Sequence, residues 1–268
     1  MGYDGTTRFD KVAAMTPSPE LQAALDAAEA AAGIARSLFE RNIEVRIKAD
    51  KSPVTEADVR CEIAIREILE SRFPAHGFYG EETGSRNRGA EYLWLVDPID
   101  GTKAFVREYP MFSTQIALMR RGELVLGVSS APVYGEIAYA ERGAGAFLNG
   151  KQIAVSQIDT LEATVLSSGN MKSLALGPKW GRYGELIAGI SRIRGYGDFL
   201  HYHLLASGKI DAVIETDVNI LDIAACVAIV TEAGGRFTEL DGAPITLEST
   251  SVLATNGRVH APVLAALG

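Results

Sequence analysis

Three groups of acidic residues have the types and spacing of a chemical site. Glu81 and Glu82 stand in Gly80-Glu81-Glu82-Thr83, directly after the apolar run that starts at Gly77. Asp97 and Asp100 stand in Asp97-Pro98-Ile99-Asp100-Gly101-Thr102-Lys103, directly after Tyr92-Leu93-Trp94-Leu95-Val96. Asp222 heads a nearly continuous apolar stretch that reaches Ala233. Charge at the end of a buried strand is costly to desolvate unless it is paired or metal-bound. Hard divalent cations take oxygen ligands, and Mg2+ uses a few carboxylates with water and phosphate. Pro98 fixes one backbone angle. The segment therefore reads as a stiff turn that aims both carboxylates and the Ile99 carbonyl into one cavity. Gly101 and Thr102 then offer backbone N–H groups to an anion, above all if a helix begins there. Metal ligands followed at once by an anion cradle suit phosphoryl chemistry.

Each group alone has an ordinary structural explanation. Asp-Pro-x-Asp-Gly is also a surface turn, Glu81-Glu82 a solvated loop, and Asp222 a helix cap. Three such groups, each following a buried strand, favour a shared site.

The elements that must position these residues are legible from periodicity. Leu21, Leu25, Ala28, Ala32, Ala35 and Phe39 recur at steps of three and four after Pro17-Ser18-Pro19, which predicts a helix. Thr55 and Asp58 have capping-box spacing before a second helix that carries Cys61, Ile65, Ile68 and Leu69. Short strands are expected at 77–80, 92–96, 113–119, 124–128 and 136–140, with a hairpin turn at Arg121-Gly122. The second half alternates: strands at 164–167 and 210–214, and helices at 199–207 and 222–233. His201 and His203 lie two apart on the predicted helix, so they do not share a face and read as structural or surface groups. Asn149-Gly150 reads as a turn and a seam. The expected division is a flexible leader (1–16), an α+β half carrying most metal ligands (17–150), and an α/β half carrying Asp222 and the substrate side (151–268).

Composition narrows the function class. The chain has 268 residues and formal net charge −8. That acidic balance argues against a nucleic-acid groove, which needs a basic face. Two cysteines, Cys61 and Cys226, cannot make a disulfide framework or a cysteine zinc site. No apolar run has the length of a membrane span, and residues 1–15 lack the apolar core of a secretory signal. A cytoplasmic protein without membrane partners is the expectation.

With these motifs in place, the sequence resembles the inositol monophosphatase superfamily of Mg2+-dependent, lithium-sensitive phosphomonoesterases. The resemblance rests on GEET (80–83), DPIDGTKAF (97–105), LDIAA (221–225) and KADKSPVTEAD (48–58), and covers the chain from about residue 17. Leu221 departs from the Trp of many members, which implies altered wall packing with Asp222 retained. The resemblance implies a layered αβαβα sandwich of the inositol monophosphatase and fructose-1,6-bisphosphatase type, usually a homodimer. It implies two or three Mg2+ held by Glu81, Asp97, Asp100, Asp222 and the Ile99 carbonyl, with Glu82 acting through a water. Asp58 and Thr102, with Glu81 nearby, would orient the attacking water, and Gly101 and Thr102 would donate N–H groups to the phosphate. The segment 48–53 would be a mobile lid.

The resemblance implies that the substrate is a small phosphorylated metabolite. Lys103 after the Asp-Gly-Thr, and the stretch RGYGDFLHYHLLASGKIDAVIE (194–215), are similar to the histidinol-phosphate phosphatase branch. Asp198 and Glu215 would then meet the non-phosphate end of the substrate. Glu215 stands seven residues before Asp222, the spacing of a hydroxyl-binding Glu in inositol phosphatases. An inositol-1-monophosphatase is the alternative. A bisphosphate nucleotidase, a fructose-1,6-bisphosphatase and a non-catalytic cation-binding relative are less favoured.

Overall fold

A computed structural model describes residues 16–39, 45–47 and 53–268. The expected leader, apart from Thr16, and the expected lid, apart from Pro53, lie outside the described residues.

Ser18 caps α1 (Pro19–Leu38), its Oγ accepting from Leu21 N at 3.0 Å. Pro19 takes the first helical position, where a missing N–H is no loss. The buried stripe of α1 is mostly alanine: 23, 24, 27, 28, 31, 32 and 35. Such a low-relief face lets α2 (Glu56–Arg72) pack close beside it. Before α2, β1 (Val45–Ile47) and β2 (Pro53–Thr55) form an antiparallel pair.

The first sheet has eight strands: β3 (Gly77–Gly80), β4 (Ser85–Arg86), β5 (Tyr92–Asp100), β6 (Ser113–Arg120), β7 (Glu123–Ala131), β8 (Glu136–Glu141), β9 (Gly145–Leu148) and β10 (Lys151–Ile153). Their spatial order is β10-β9-β8-β7-β6-β5-β3-β4, antiparallel except for the β3–β5 pair. The short helix α3 (Thr102–Val106) leaves the end of β5. The β6–β7 turn is where the sequence places it. Arg121 (φ 50°) and Gly122 (φ 85°) both take left-handed backbone angles, the requirement of a tight two-residue hairpin. The sheet continues through β10, past the Asn149-Gly150 turn.

The second sheet is built from β11 (Val165–Ser168), β12 (Arg192–Arg194), β13 (Ala212–Thr216), β14 (Arg236–Thr238) and β15 (Ser251–Thr255), in the order β12-β11-β13-β15-β14. Between its strands run α4 (Lys172–Leu176), α5 (Trp180–Gly189), α6 (Asp198–Ala206) and α7 (Ile220–Glu232), and α8 (His260–Leu267) follows the last strand. β11 pairs in parallel with β12 and β13, whereas β15 is antiparallel to β13 and β14.

The layers follow from which faces are apolar. α1 and α2 cover one face of the first sheet. α6 and α7 fill the space between the two sheets. α4, α5 and α8 cover the far face of the second sheet. The result is the αβαβα sandwich that the resemblance implied. Small residues set the depth of the central layer. A Cβ on Gly127 of β7 would lie 2.4 Å from the Ala225 carbonyl oxygen of α7. Glycine facing buried Ala224 and Ala225 therefore lets α7 settle onto the first sheet. Leu221 is buried in the same wall. Cys61 and Cys226 are both buried free thiols.

Candidate functional site

The strand β5 does not stop before the acidic motif. It runs through Asp100, where a stiff turn was expected, and contains a bulge instead. Asp97 pairs with Gln115 and Asp100 with Ser113, so three steps on β5 match two on β6. In a regular strand residues three apart face opposite ways. The extra residue re-aims the chain, and both carboxylates reach one place. Asp97 Oδ1 accepts from its own loop, from Ile99 N at 3.0 Å. Gly101 (φ 90°) then takes a left-handed turn that starts α3.

Asp222 arrives from the other sheet on the first turn of α7. Asn219 and Asp222 form a capping box, with Asn219 N donating to Asp222 Oδ2 at 2.9 Å. This capping box orients the Asp222 carboxylate. Asp97, Asp100 and Asp222 each present a carboxylate oxygen, all within 4.8 Å of one another.

Burial, reinforced by the Glu81, Asp100 and Asp222 charges, pushes the Asp97 carboxyl well above the usual carboxylate range. Burial and the charges of Asp198 and Asp222 do the same to Asp100. Asp222 is pushed up to about 7, first by burial and then by Glu81 and Glu215. Three converging carboxylates at the meeting of two layers repel one another unless a cation joins them. Their donor set is all oxygen, which fits a hard divalent ion such as Mg2+.

A raised carboxylate pKa means that the folded state holds more protons than the unfolded chain. The associated stability is present below pH 4 and is lost as the pH rises through about 7. EDTA-treated protein should therefore lose roughly 5 °C of Tm between pH 5 and pH 8, while protein in Mg2+ should not. Differential scanning calorimetry across that range checks it. A flat metal-free profile would mean that the cluster is not strained.

Asp58 and Thr102 meet across the same space. The Thr102 hydroxyl lies 3.1 Å from Asp58 Oδ1 and 3.1 Å from the Ile99 carbonyl oxygen. The other Asp58 oxygen accepts from Thr55 N at 2.8 Å and from Thr55 Oγ1 at 2.6 Å, the expected capping box. Burial raises the Asp58 carboxyl above its usual range.

Glu81 and Glu82 sit at the β3 end, and Glu81 N bonds the Val96 carbonyl at 3.3 Å. What fixes their loop is a residue that sequence reasoning missed. Glu62 is fully buried on α2. Its two oxygens accept from Glu82 N at 2.8 Å and Thr83 N at 2.5 Å. The signal was present: Asp58, Glu62, Ile65 and Leu69 follow helical spacing, so two carboxylates share the apolar stripe of α2. Glu62→Gln leaves one acceptor oxygen for two N–H groups, which should cost about 2 kcal/mol. Thermal unfolding should show the loss, and the Mg2+ needed for half-maximal activity should rise. Unchanged values for both would remove Glu62 from the site's support.

The cleft beside the cluster is lined by Asp100, Asn170, Asp198, Tyr202, Glu215 and Asp222, among others. Glu215, on β13, is buried. Tyr202 donates its hydroxyl to Oε2 at 2.8 Å, and Asn170 N donates to Oε1 at 3.2 Å. His201 Nε2 lies 3.1 Å from Oε2, at ion-pair distance but outside hydrogen-bond alignment. Burial alone would raise Glu215, yet His201 and these hydrogen bonds hold it below the usual range. Asp198 opens α6 with φ 45°. Burial and then the Glu215 charge raise it to about 6. The histidines are not surface groups: His201 and His203 are 0 % and 1 % exposed. They do face different ways, His201 toward Glu215 and His203 toward Ser129 and Glu136.

The chain is similar to known proteins over nearly its whole length. The sequence profile described as "Inositol monophosphatase family" matches residues 16–267. A histidinol-phosphatase of Chlorobaculum parvum is 34% identical over 94% of this chain and 97% of its own. A histidinol-phosphatase of Mycobacterium tuberculosis is 37% identical over 92% of this chain and 97% of its own. Among solved structures, the extragenic suppressor protein suhB of Bartonella henselae superposes with a TM-score of 0.86. It is 30% identical, over 93% of this chain and 98% of that one.

Proposed function

This chain belongs to the inositol monophosphatase family and is a phosphomonoesterase, and we propose that its substrate is histidinol phosphate, hydrolysed to histidinol and phosphate. The observation that carries the proposal is Glu215, a buried carboxylate held ionised in the cleft that also contains Asp100 and Asp222. A phosphate is recognised at the cluster, and an anionic wall beside it suits the amine or imidazole of histidinol. Asp198, across the same cleft, adds to that wall.

Glu81, Asp97, Asp100, Asp222 and the Ile99 carbonyl would hold two or three Mg2+, with Glu82 reaching them through a water. The bound cations supply Lewis acidity toward the phosphate oxygens and an attacking water. The protein's own groups place the reactants. Thr102 donates its hydroxyl hydrogen bond to Asp58, so the Thr102 oxygen keeps a lone pair that would accept a hydrogen bond from water and fix its orientation. Gly101 and Thr102 present backbone N–H groups to the phosphate at the start of α3. Attack is direct and in line, with no phosphorylated enzyme.

The proposed halves, 17–150 with most metal ligands and 151–268 adding Asp222, Asp198 and Glu215, are functional ones, since β10 (Lys151–Ile153) still pairs in the first sheet. The enzyme acts as a cytoplasmic homodimer that binds no nucleic acid, and Li+ inhibits it by taking a Mg2+ position. Among the described residues no helix is long and apolar enough to cross a membrane.

Phosphate release from a panel of esters in Mg2+ tests the substrate. Histidinol phosphate should exceed inositol-1-phosphate, fructose-1,6-bisphosphate and a nucleoside bisphosphate in kcat/KM by about tenfold or more. Glu215→Gln should remove most of that preference. Faster turnover of inositol-1-phosphate would assign Glu215 to a substrate hydroxyl and overturn the histidinol proposal.

A further inference from the structure

The face of the first sheet that packs against the central helices is apolar along most of its length. Leu93 and Leu95 of β5, Ala117 and Met119 of β6, and Ala138 and Ala140 of β8 belong to that core. Next to the acidic cluster it turns polar. Ser113 and Gln115, two apart on β6, share one face, and Gln115 pairs directly across from Ser129 of β7. All three are at most 1 % exposed. Buried polar side chains this dense are costly unless every one is bonded.

They are bonded in a single line. The Ser113 hydroxyl reaches Asp100 Oδ2 at 3.3 Å. Gln115 Nε2 donates to Ser113 Oγ at 2.8 Å and to Ser129 Oγ at 3.1 Å. Ser129 Oγ lies 2.9 Å from His203 Nε2, and His203 Nδ1 lies 2.9 Å from Glu136 Oε2.

With a cation bound, Asp100 is ionised, and the direction of each bond then follows. An ionised Asp100 can only accept, so Ser113 spends its proton there. Gln115 must then turn its amide NH2 toward both serines, and its Oε1 accepts the weak Cys226 thiol at 3.7 Å. Ser129, accepting from Gln115, gives its proton to His203 Nε2. The histidine is therefore the neutral tautomer with its proton on Nδ1, donated to the Glu136 carboxylate.

α6 thus carries two connections on successive residues. His201 and Tyr202 meet Glu215 on the substrate side. His203 closes the line that ends at Asp100. We propose that His203 is a positioning residue: through Ser129, Gln115 and Ser113 it holds Asp100 Oδ2 in place, so that Oδ1 is presented to the cation. This rests on Asp100 being a metal ligand. In effect α6 registers the substrate wall against the metal cluster.

Titration of the intact enzyme with Mn2+, followed by the EPR signal of the free ion, reads the effect without turnover. Removing an outer partner of a ligand typically weakens metal binding 10–100-fold. His203→Phe keeps a buried ring and breaks the line, and Mn2+ should bind about tenfold more weakly. Gln115→Met keeps the length without donors and should match it. His203→Gln places an acceptor oxygen near the former Nε2 and should restore affinity to within about twofold, a rescue that a merely space-filling role would not require. KM for the substrate should change less than Mn2+ affinity in all three. If His203→Phe does not fold, Gln115→Met carries the same expectation. Wild-type Mn2+ affinity in Gln115→Met and His203→Phe, with affinity lost in Asp100→Asn, overturns the positioning role alone. Wild-type affinity in Asp100→Asn overturns the ligand assignment, and the positioning role with it.

Discussion

Asp97→Asn should lower kcat/KM by about three orders of magnitude or more, a loss of at least ~4 kcal/mol in transition-state stabilisation. It should do so while making the metal-free protein more stable. The substitution keeps the shape of the side chain and the acceptor oxygen that bonds Ile99 N. The β5 bulge therefore has no reason to change. What disappears is one negative charge from the centre of a buried acidic cluster. In the metal-free protein that charge is a liability, because burial and the neighbouring carboxylates already push Asp97 well above its usual range. Removing it relieves repulsion, so Tm in EDTA should rise at pH 8. In Mg2+ the sign should reverse, because under the proposed assignment the same charge is a ligand to the cations. Activity assays paired with thermal unfolding, each with and without Mg2+, check both halves. Near-wild-type kcat at saturating Mg2+ would sink the central role of Asp97.

Thr102→Val should lower kcat by roughly two to three orders of magnitude and leave Mn2+ affinity within about twofold. The valine fills the threonine's space without its hydroxyl. Asp58 keeps its two bonds from Thr55, so the cap on α2 survives. The lost group is the hydroxyl 3.1 Å from both Asp58 Oδ1 and the Ile99 carbonyl, which under the proposed assignment accepts a hydrogen bond from the attacking water. Asp58 itself is a poorer target, since replacing it also removes a helix cap worth about 1 kcal/mol. Single-turnover rates beside Mn2+ titration separate the outcomes. A parallel loss of metal affinity would move Thr102 from water orientation to metal support.

Much of this was readable from local sequence. The alanine stripe of α1, the Arg121-Gly122 hairpin and the cap at Thr55 are encoded within a few residues of where they act. Asp97 and Asp100 were also legible as candidates after an apolar run, and Asp222 at the head of one. How they converge was not. Pro98 suggested a turn, but odd spacing within a strand aims two side chains apart. Only the pairing with Gln115 and Ser113 on β6 reveals the bulge that reconciles them. Glu215 shows the same limit. Its own segment suggests an exposed strand end as readily as a site. Its burial, and the His201 and Tyr202 contacts that keep it charged, come from α6, which lies earlier in the chain and packs against β13. Glu62 lies between, since its helical phase marked it as buried and its partners on the Glu82–Thr83 backbone did not show.

Anomalous diffraction from crystals soaked in Mn2+ tests the central claim most directly. A strong peak is expected within coordination distance of Asp97, Asp100 and Asp222, lost in Asp97→Asn crystals. Crystals of active enzyme with no peak at these three carboxylates, or with Mn2+ bound only elsewhere, would contradict it.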